Sequence, residues 1–226
     1  MFVHQAQTAA MDADHPPMLQ GLLGRHSLGM KHLVEPGPDA AQLLTMTQAA
    51  LRAPDHAGLV PFRFKLVRGA QRDALAELFA QAARDAGKDD AGAALDAERA
   101  RRAPATVALV ARIDMGHPLV PAHEQWAAVG GALANFLNAA HALGFAGKML
   151  SGAKARHPRI VAAFCAPGET LVGWVALGTA TRQVAARGNK LAPEQVMTAW
   201  ASPLGGGVTP TSADALKEAP GRPKLP

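Results

Sequence analysis

Tyrosine is absent from this chain, and aromatic residues make up only 4% of its 226 positions. Alanine and leucine must therefore fill the interior, a composition that favours closely packed helices. Cysteine occurs once, as Cys165, which excludes an intramolecular disulfide framework and a cysteine-based zinc site. Its neighbours Val161, Phe164 and Ala166 are apolar, so the thiol reads as a buried structural group rather than a nucleophile. A reducing compartment fits, and the cytoplasm is the expected location. There is no Lys/Arg-rich run with interleaved aromatics and no RNA-binding or zinc-finger signature. The net charge of +5 is mild and spread along the chain, and suits an anionic small-molecule partner as readily as nucleic acid. The first residues lack a basic segment followed by an apolar one, because Asp12 and Asp14 interrupt them.

Other absences narrow the chemistry. Neither Gly-X-Gly-X-X-Gly nor a P-loop is present, so a nicotinamide nucleotide would bind without a Rossmann fingerprint. His123-Glu124 opens like a metalloprotease motif, but Ala127 holds the second histidine's place. The nine histidines otherwise lack ligand spacing, and no metal is expected. Residues 126–147 carry no formal charge, which raises a membrane-spanning reading. Asn135, Asn138, His141 and the Gly130-Gly131 pair sit inside that stretch, and polar amides are costly in lipid. It reads as a buried helix.

What is present is a large apolar share, 49% of residues, enough for a sizeable core. Residues 1–16 read as a flexible lead-in, 17–200 as one domain, and 201–226 as a tail. That tail is rich in proline and glycine and unfit for a packed core, either disordered or lying on another subunit. A short helix is expected from Met18 to about Arg25. A longer one follows Asp39, a candidate cap, with Leu43, Leu44, Thr47 and Leu51 on its apolar face. Pro54 ends it, and Leu59 to Val67 reads as a strand. Residues 70–86 form an amphipathic helix with Leu75, Leu78, Phe79 and Ala82 on one face, stopped by Gly87. Residues 88–102 read as a solvated helix, and the apolar run from Ala105 to Ala111 as a central strand. The long helix spans about His123 to Leu143, with a stripe from Trp126 through Val129, Leu133, Phe136, Leu137 and Ala140 to Leu143. Strands over 145–150 and 170–178 bracket a short helix at 157–164. Long helices with few, separated strands suggest a layered mixed fold.

Chemistry concentrates at a few places. Arg25-His26-Ser27 ends the first helix, and an arginine with a nearby hydroxyl can clamp a phosphate. Arg52-Ala53-Pro54-Asp55-His56 leaves a cation and an imidazole on a helix-to-strand turn, where polar residues usually serve binding. A capping Asp and a solvated Arg are the plainer reading of that pentapeptide. Further on come Val120-Pro121-Ala122-His123-Glu124-Gln125, then Met149-Leu150-Ser151-Gly152, then Val172 to Thr179.

This ordered set, from about Met18 to Thr179, resembles the compact bacterial branch of the FMN-dependent nitroreductase family. That branch carries Arg-Arg-Ser, Arg-Ala-Pro-Asp-His before a strand, Glu-Gln opening the long helix, Trp-Arg-Ser-Gly and a closing Gly-X-X-X-Leu-Gly-Thr strand. The resemblance implies a three-layer α+β fold, with a mostly antiparallel sheet flanked by helices, in a homodimer holding two FMN sites at its interface. It implies that Arg25, His26 and Ser27 meet the phosphate and ribityl end of FMN, and that Arg52 and His56 reach FMN from the partner subunit. Met149, Leu150 and Ser151 would line the site. The implied activity is reduction of nitro compounds, quinones or similar acceptors with NAD(P)H as co-substrate; the flavin carries the chemistry and no amino-acid nucleophile is required. A family member that holds FMN without efficient turnover is the alternative.

The chain departs from the pattern at His26, in place of the second arginine, and at Met149 and Leu150, in place of Trp and Arg. Val60-Pro61-Phe62 stands where the family often has Gln-Pro-Trp. Lys148 is a candidate to replace the missing arginine, although strand alternation sets it on the opposite face from Met149.

Overall fold

Strand β3 (Ala105–Ala111) is buried at every position, because helices cover both faces of the sheet that it centres. In the computed structural model, which describes residues 15–182 and 191–200, the strands are β1 (Leu33–Val34), β2 (Phe62–Val67), β3, β4 (Ala146–Leu150) and β5 (Thr170–Ala180). The helices are α1 (Pro17–Gly24), α2 (Ala40–Ala50), α3 (Gln71–Asp85), α4 (Asp90–Arg101), α5 (Ala122–Ala142) and α6 (Pro158–Phe164). The chain divides into two compact units, Met11–Ala186 and a second made of Met1–Ala10 with Arg187–Pro226. All of these elements belong to the first unit. The described part of the second holds one short 3-10 turn, Pro193–Gln195. The expected lead-in, apart from its last two residues, and the expected tail at 201–226 lie outside the described residues.

Every strand pairing is antiparallel, in the order β1-β5-β3-β2, with β4 also on β5. Alternation along β3 sorts its side chains between two layers. Val107 and Leu109 pack with Leu43, Met46 and Phe136 of α2 and α5, whereas Ala108 and Val110 pack with α3, α4 and α6 through Leu75, Ala100 and Ile160. The expected three-layer α+β fold is the one adopted.

Local chemistry explains the element ends. Asp39 and Gln42 form a reciprocal capping box at the start of α2, with both bonds at 2.8 Å. Gly87, at φ 80°, ends the turn after α3. Gln125 is fully buried at the start of α5. Its carboxamide accepts from the Asp114 N–H and donates to the Asp114 and Val120 carbonyls, at 2.8 to 2.9 Å, closing the 114–120 loop onto the helix. No helix among the described residues is long and apolar enough to cross a membrane.

Two helix faces differ from expectation. On α2 the buried positions are Leu43, Met46 and Ala50, while Leu44 and Leu51 are 66% and 51% exposed. On α5 the buried face runs through Ala128, Val129, Ala132, Phe136 and Ala140, and both Trp126 and Leu143 reach solvent. Alanines share both buried faces with the larger residues, which the spacing of large apolar ones does not reveal. Helix α4 is not merely solvated either: Asp96 is 3% exposed.

Candidate functional site

Helix α1 stops at Gly24, and the extended backbone that follows carries Arg25 and His26 along the wall of a cavity of about 850 Å³. The C-terminal end of α5 supplies Leu137 and His141, β4 supplies Ala146 and Gly147, and the end of β5 leads to Arg182. Among the described residues, two arginines and two imidazoles line this cavity and no carboxylate does. The sheet brings Arg182 there, because Leu33 and Val34 pair with Ala180 and Thr179 and hold the end of β5 beside the segment that follows Arg25.

Two observations report the electrostatics. Burial pushes the His141 imidazolium pKa down, and repulsion from His26 and Arg25 adds to it. A cationic cavity without counter-charge disfavours further positive charge. His26 Nδ1 lies 3.2 Å from the Gly24 carbonyl, so Nδ1–H donates to the backbone and Nε2 is left free. In that arrangement Nε2 donates to an anion only as imidazolium.

Ser27 is exposed and stands outside the lining of the cavity. Strand β4 separates its last residues by alternation. Met149 packs with the α2/α5 core, while Leu150 packs on the opposite face with Leu28, Leu33 and Ala176, beside Lys148's side of the strand. The Ser151 hydroxyl donates to the Val172 carbonyl at 2.9 Å. That carbonyl is free because β5 bulges at Val172, where its register on β3 jumps from Leu109↔Gly173 to Val110↔Leu171. Gly173, at φ 148°, lies against this bend, and a Cβ there would overlap the Leu150 carbonyl oxygen.

Arg52 and His56 lie elsewhere. Asp55 Oδ2 accepts from the Val60 N–H at 2.7 Å and folds the turn, in which Ala57 and Val60 take positive φ values of 61° and 48°. Such values are uncommon for alanine and a genuine outlier for a β-branched residue. Ala53 packs on Gly131, where a Cβ would stand 3.1 Å from its own. His56 Nδ1 is 2.7 Å from Glu124 Oε2 at the start of α5, with both side chains part-exposed. The rise of about 1.5 Å per residue puts Glu124 about 25 Å from His141 along α5. Within one chain, Arg25 and His26 lie at the C-terminal end of α5, His56 at its N-terminal end, and Arg52 next to Ala53, which packs on Gly131 at the middle of the helix.

The nitroreductase family model matches residues 23–179, most of the chain, a span that includes Arg25 to Ser27, Arg52, His56 and Met149 to Ser151. The chain belongs to the nitroreductase family. It is 36% identical over 164 residues to the Escherichia coli K12 protein YdjA, named as a proposed NAD(P)H nitroreductase, covering 71% of this chain and 87% of that one. It is also 31% identical over 150 residues to a Haemophilus influenzae protein given the same activity, covering 66% and 82%. Among solved structures it resembles a nitroreductase-like protein from Bacillus cereus, with TM-score 0.70, 19% identity and coverage of 83% and 98%. A proposed nitroreductase from Desulfovibrio desulfuricans, solved in complex with FMN, superposes with TM-score 0.63, 18% identity and coverage of 84% and 99%.

Of the four basic residues that line this cavity, two have no place in the motifs: His141 and Arg182. Arg182 falls just past the matched span, and its only sequence signal is its position after the closing Gly-Thr of β5. His141 is visible in the sequence only as a polar residue in the uncharged stretch 126–147.

Proposed function

We propose that this nitroreductase is an FMN-dependent oxidoreductase that uses NAD(P)H to reduce nitro compounds, quinones or similar acceptors. The observation that carries the reading is the large cavity whose described lining holds Arg25, His26, His141 and Arg182 and no acid, a fit for a phosphate-bearing cofactor. Arg25, Arg182 and His26 would hold the phosphate, with Ser27 adding a neutral donor from the edge. From there β4 runs toward Met149, Leu150 and Ser151, the residues proposed to line the ring. FMN, when bound, supplies hydride acceptance from the nicotinamide and electron delivery to the acceptor. The chain's own residues bind, orient and neutralise charge.

The reading includes a homodimer. His56 stands at the far end of α5 from the cavity and Arg52 beside the middle of that helix, so the reading brings them to a flavin from a second subunit across a two-fold axis. Exposed Met18, Leu23, Leu44, Leu51 and Trp126 supply apolar surface for such a contact, and the side-chain space at Gly130 is open. The single free thiol of Cys165 fits a reducing cytoplasm.

A second reading is a protein that holds FMN without efficient turnover. The placement of Met149 in the apolar core and the use of the Ser151 hydroxyl on Val172 favour it, since both thin the polar complement near the ring. The absorption spectrum of the purified protein tests flavin binding: flavin bands are expected, and a colourless protein that does not take up added FMN refutes both readings. Turnover with NADH or NADPH and a nitroaromatic or quinone then separates the two.

A further inference from the structure

The four basic residues that line the cavity at Arg25 are of two kinds. Arg25 and Arg182 keep their charge at every working pH, whereas His26 and His141 are cations only when protonated. The two imidazoles differ in turn. His141 is neutral near pH 7, because burial lowers its pKa and repulsion from His26 and Arg25 lowers it further. His26 is half-buried, and its ring is fixed by the Nδ1 contact with the Gly24 carbonyl at 3.2 Å. That carbonyl belongs to the last residue of α1, where the aligned peptide dipoles favour positive charge.

With Nδ1–H committed to the backbone, the state of Nε2 decides what His26 offers an anion. A neutral ring presents a lone pair there, and an imidazolium presents a second N–H. The sequence sets this histidine where the nitroreductase pattern carries an arginine, so a permanent donor is exchanged for one that a proton creates. Among the described residues, nothing around the ring makes that proton permanent. Helix α1 has no ionisable side chain, and the segment that follows it carries Arg25, Lys31 and His32. Helix α5 adds His141, the end of β5 leads to Arg182, and Lys148 of β4 stands outside the lining. His32 faces Arg182 and Lys31 rather than an acid, and its pKa is lowered by burial first and by those two cations second. Every one of these neighbours is basic. The anion that would share a proton with His26 therefore has to be the ligand.

We infer that binding of the FMN phosphate in this cavity takes up a proton on His26, so that affinity for the cofactor falls as pH rises from about 6.5 to 8.5. The inference rests on the flavin reading, because it needs the phosphate at Arg25. The proton comes from solvent, forms the Nε2–H bond and turns the imidazole into a donor to a phosphate oxygen; no electrons move. The direction of proton flow separates His26 from the phosphate itself. With a second pKa near 6, a phosphate monoester is mostly a dianion above about pH 7. Cations around it make it release its remaining protons, not gain them. Net uptake therefore belongs to the protein.

Calorimetric titration of FMN into the full-length apoprotein, in buffers of different ionisation enthalpy, counts the protons bound. The Kd measured from about pH 6.5 to 8.5 gives the same linkage independently. Uptake approaching one proton per FMN is expected, with Kd rising about tenfold across the range, the weight of one charge-assisted hydrogen bond. His26→Gln should bind FMN more weakly at the acid end, lose the uptake and flatten the pH dependence. His26→Arg should bind without uptake at either end, and should hold FMN more tightly than the parent at the alkaline end. Thermal melts accompany both, and His26→Arg carries the test should His26→Gln unfold. Proton-neutral binding by the parent overturns the proposal and leaves the flavin reading in place. So does uptake that persists in both variants, which would belong to another histidine such as His141, His32 or His56. A protein that takes up no FMN at any pH refutes the flavin reading and the proposal with it.

Discussion

Glu169 is the carboxylate whose titration bears most on the stability of this fold. It closes the short loop between α6 and β5, accepts from the Ala166 N–H at 2.7 Å, and forms a two-pronged pair with Arg63 of β2. Its side chain is 11% exposed. The hydrogen bonds from Arg63, followed by that from Ala166, lower its pKa from 4.5 to about 2. The sign follows directly. A carboxyl held down in the folded chain contributes stability that is complete above its unfolded pKa, near 4.5, and is lost as pH falls toward 2. A full difference of that size corresponds to at most about 3.4 kcal/mol, and solvent at the part-exposed Arg63 reduces it to roughly 2 kcal/mol. For a unit of this size that is about 4–8 °C in melting temperature. The test is thermal or urea unfolding of the parent and Glu169→Gln at intervals from pH 2.5 to 7. The variant is expected to be less stable at pH 7 and to converge on the parent as the pH falls through the 4.5-to-2 window. Taking the difference between the two proteins cancels the titration of all other groups. Parallel pH profiles, with a constant gap down to pH 2.5, would refute the reasoning.

Three further outcomes follow from the packing. Gly173→Ala should abolish folding or lower stability by several kcal/mol, because the new Cβ overlaps the Leu150 carbonyl at φ 148°; a melting temperature near the parent's would contradict the bend described for β5. Asp39→Ala removes the acceptor of the α2 capping box and should cost about 0.5–2 kcal/mol by urea melt, with flavin content unchanged. Leu44→Asp together with Leu51→Asp places charge on an exposed apolar face, and should shift light scattering from dimer toward monomer at micromolar concentration. A parent that is already monomeric with flavin bound would remove the dimer from the account.

Strands and helix caps were the legible part of this sequence, because their signals are local. The apolar run at 105–111, Asp39 ahead of its helix and Gly87 behind another all act within a few residues of themselves. Helix faces were less legible. In α2 and α5 alanines share the inward side with Leu43, Met46, Val129 and Phe136, so a stripe read from the leucines of α2 takes in Leu44 and Leu51, which are exposed. The burial of Asp96 depends in part on Lys154, which is 58 positions away in the chain and adjacent only after β4 and α4 have been placed. The cavity at Arg25 divides in the same way. Arg25 and His26 were recognisable from the motif order, whereas Arg182 and His141 come to them through the pairing of β1 with β5 and the length of α5. Met149 and Leu150 are neighbours in sequence, but the pleat turns them to opposite faces of the sheet, which adjacency alone conceals.

The central claim is that the cavity at Arg25 holds the FMN phosphate, and FMN titration into the apoprotein of the parent and of Arg25→Ala tests it most directly. Loss of one charge-assisted contact is expected to raise the Kd roughly ten- to 150-fold, equivalent to about 1.5–3 kcal/mol. Ser27→Ala, at an exposed position outside the cavity lining, should cost less. An Arg25→Ala protein that melts like the parent and binds FMN with unchanged affinity would place the phosphate elsewhere and contradict the account.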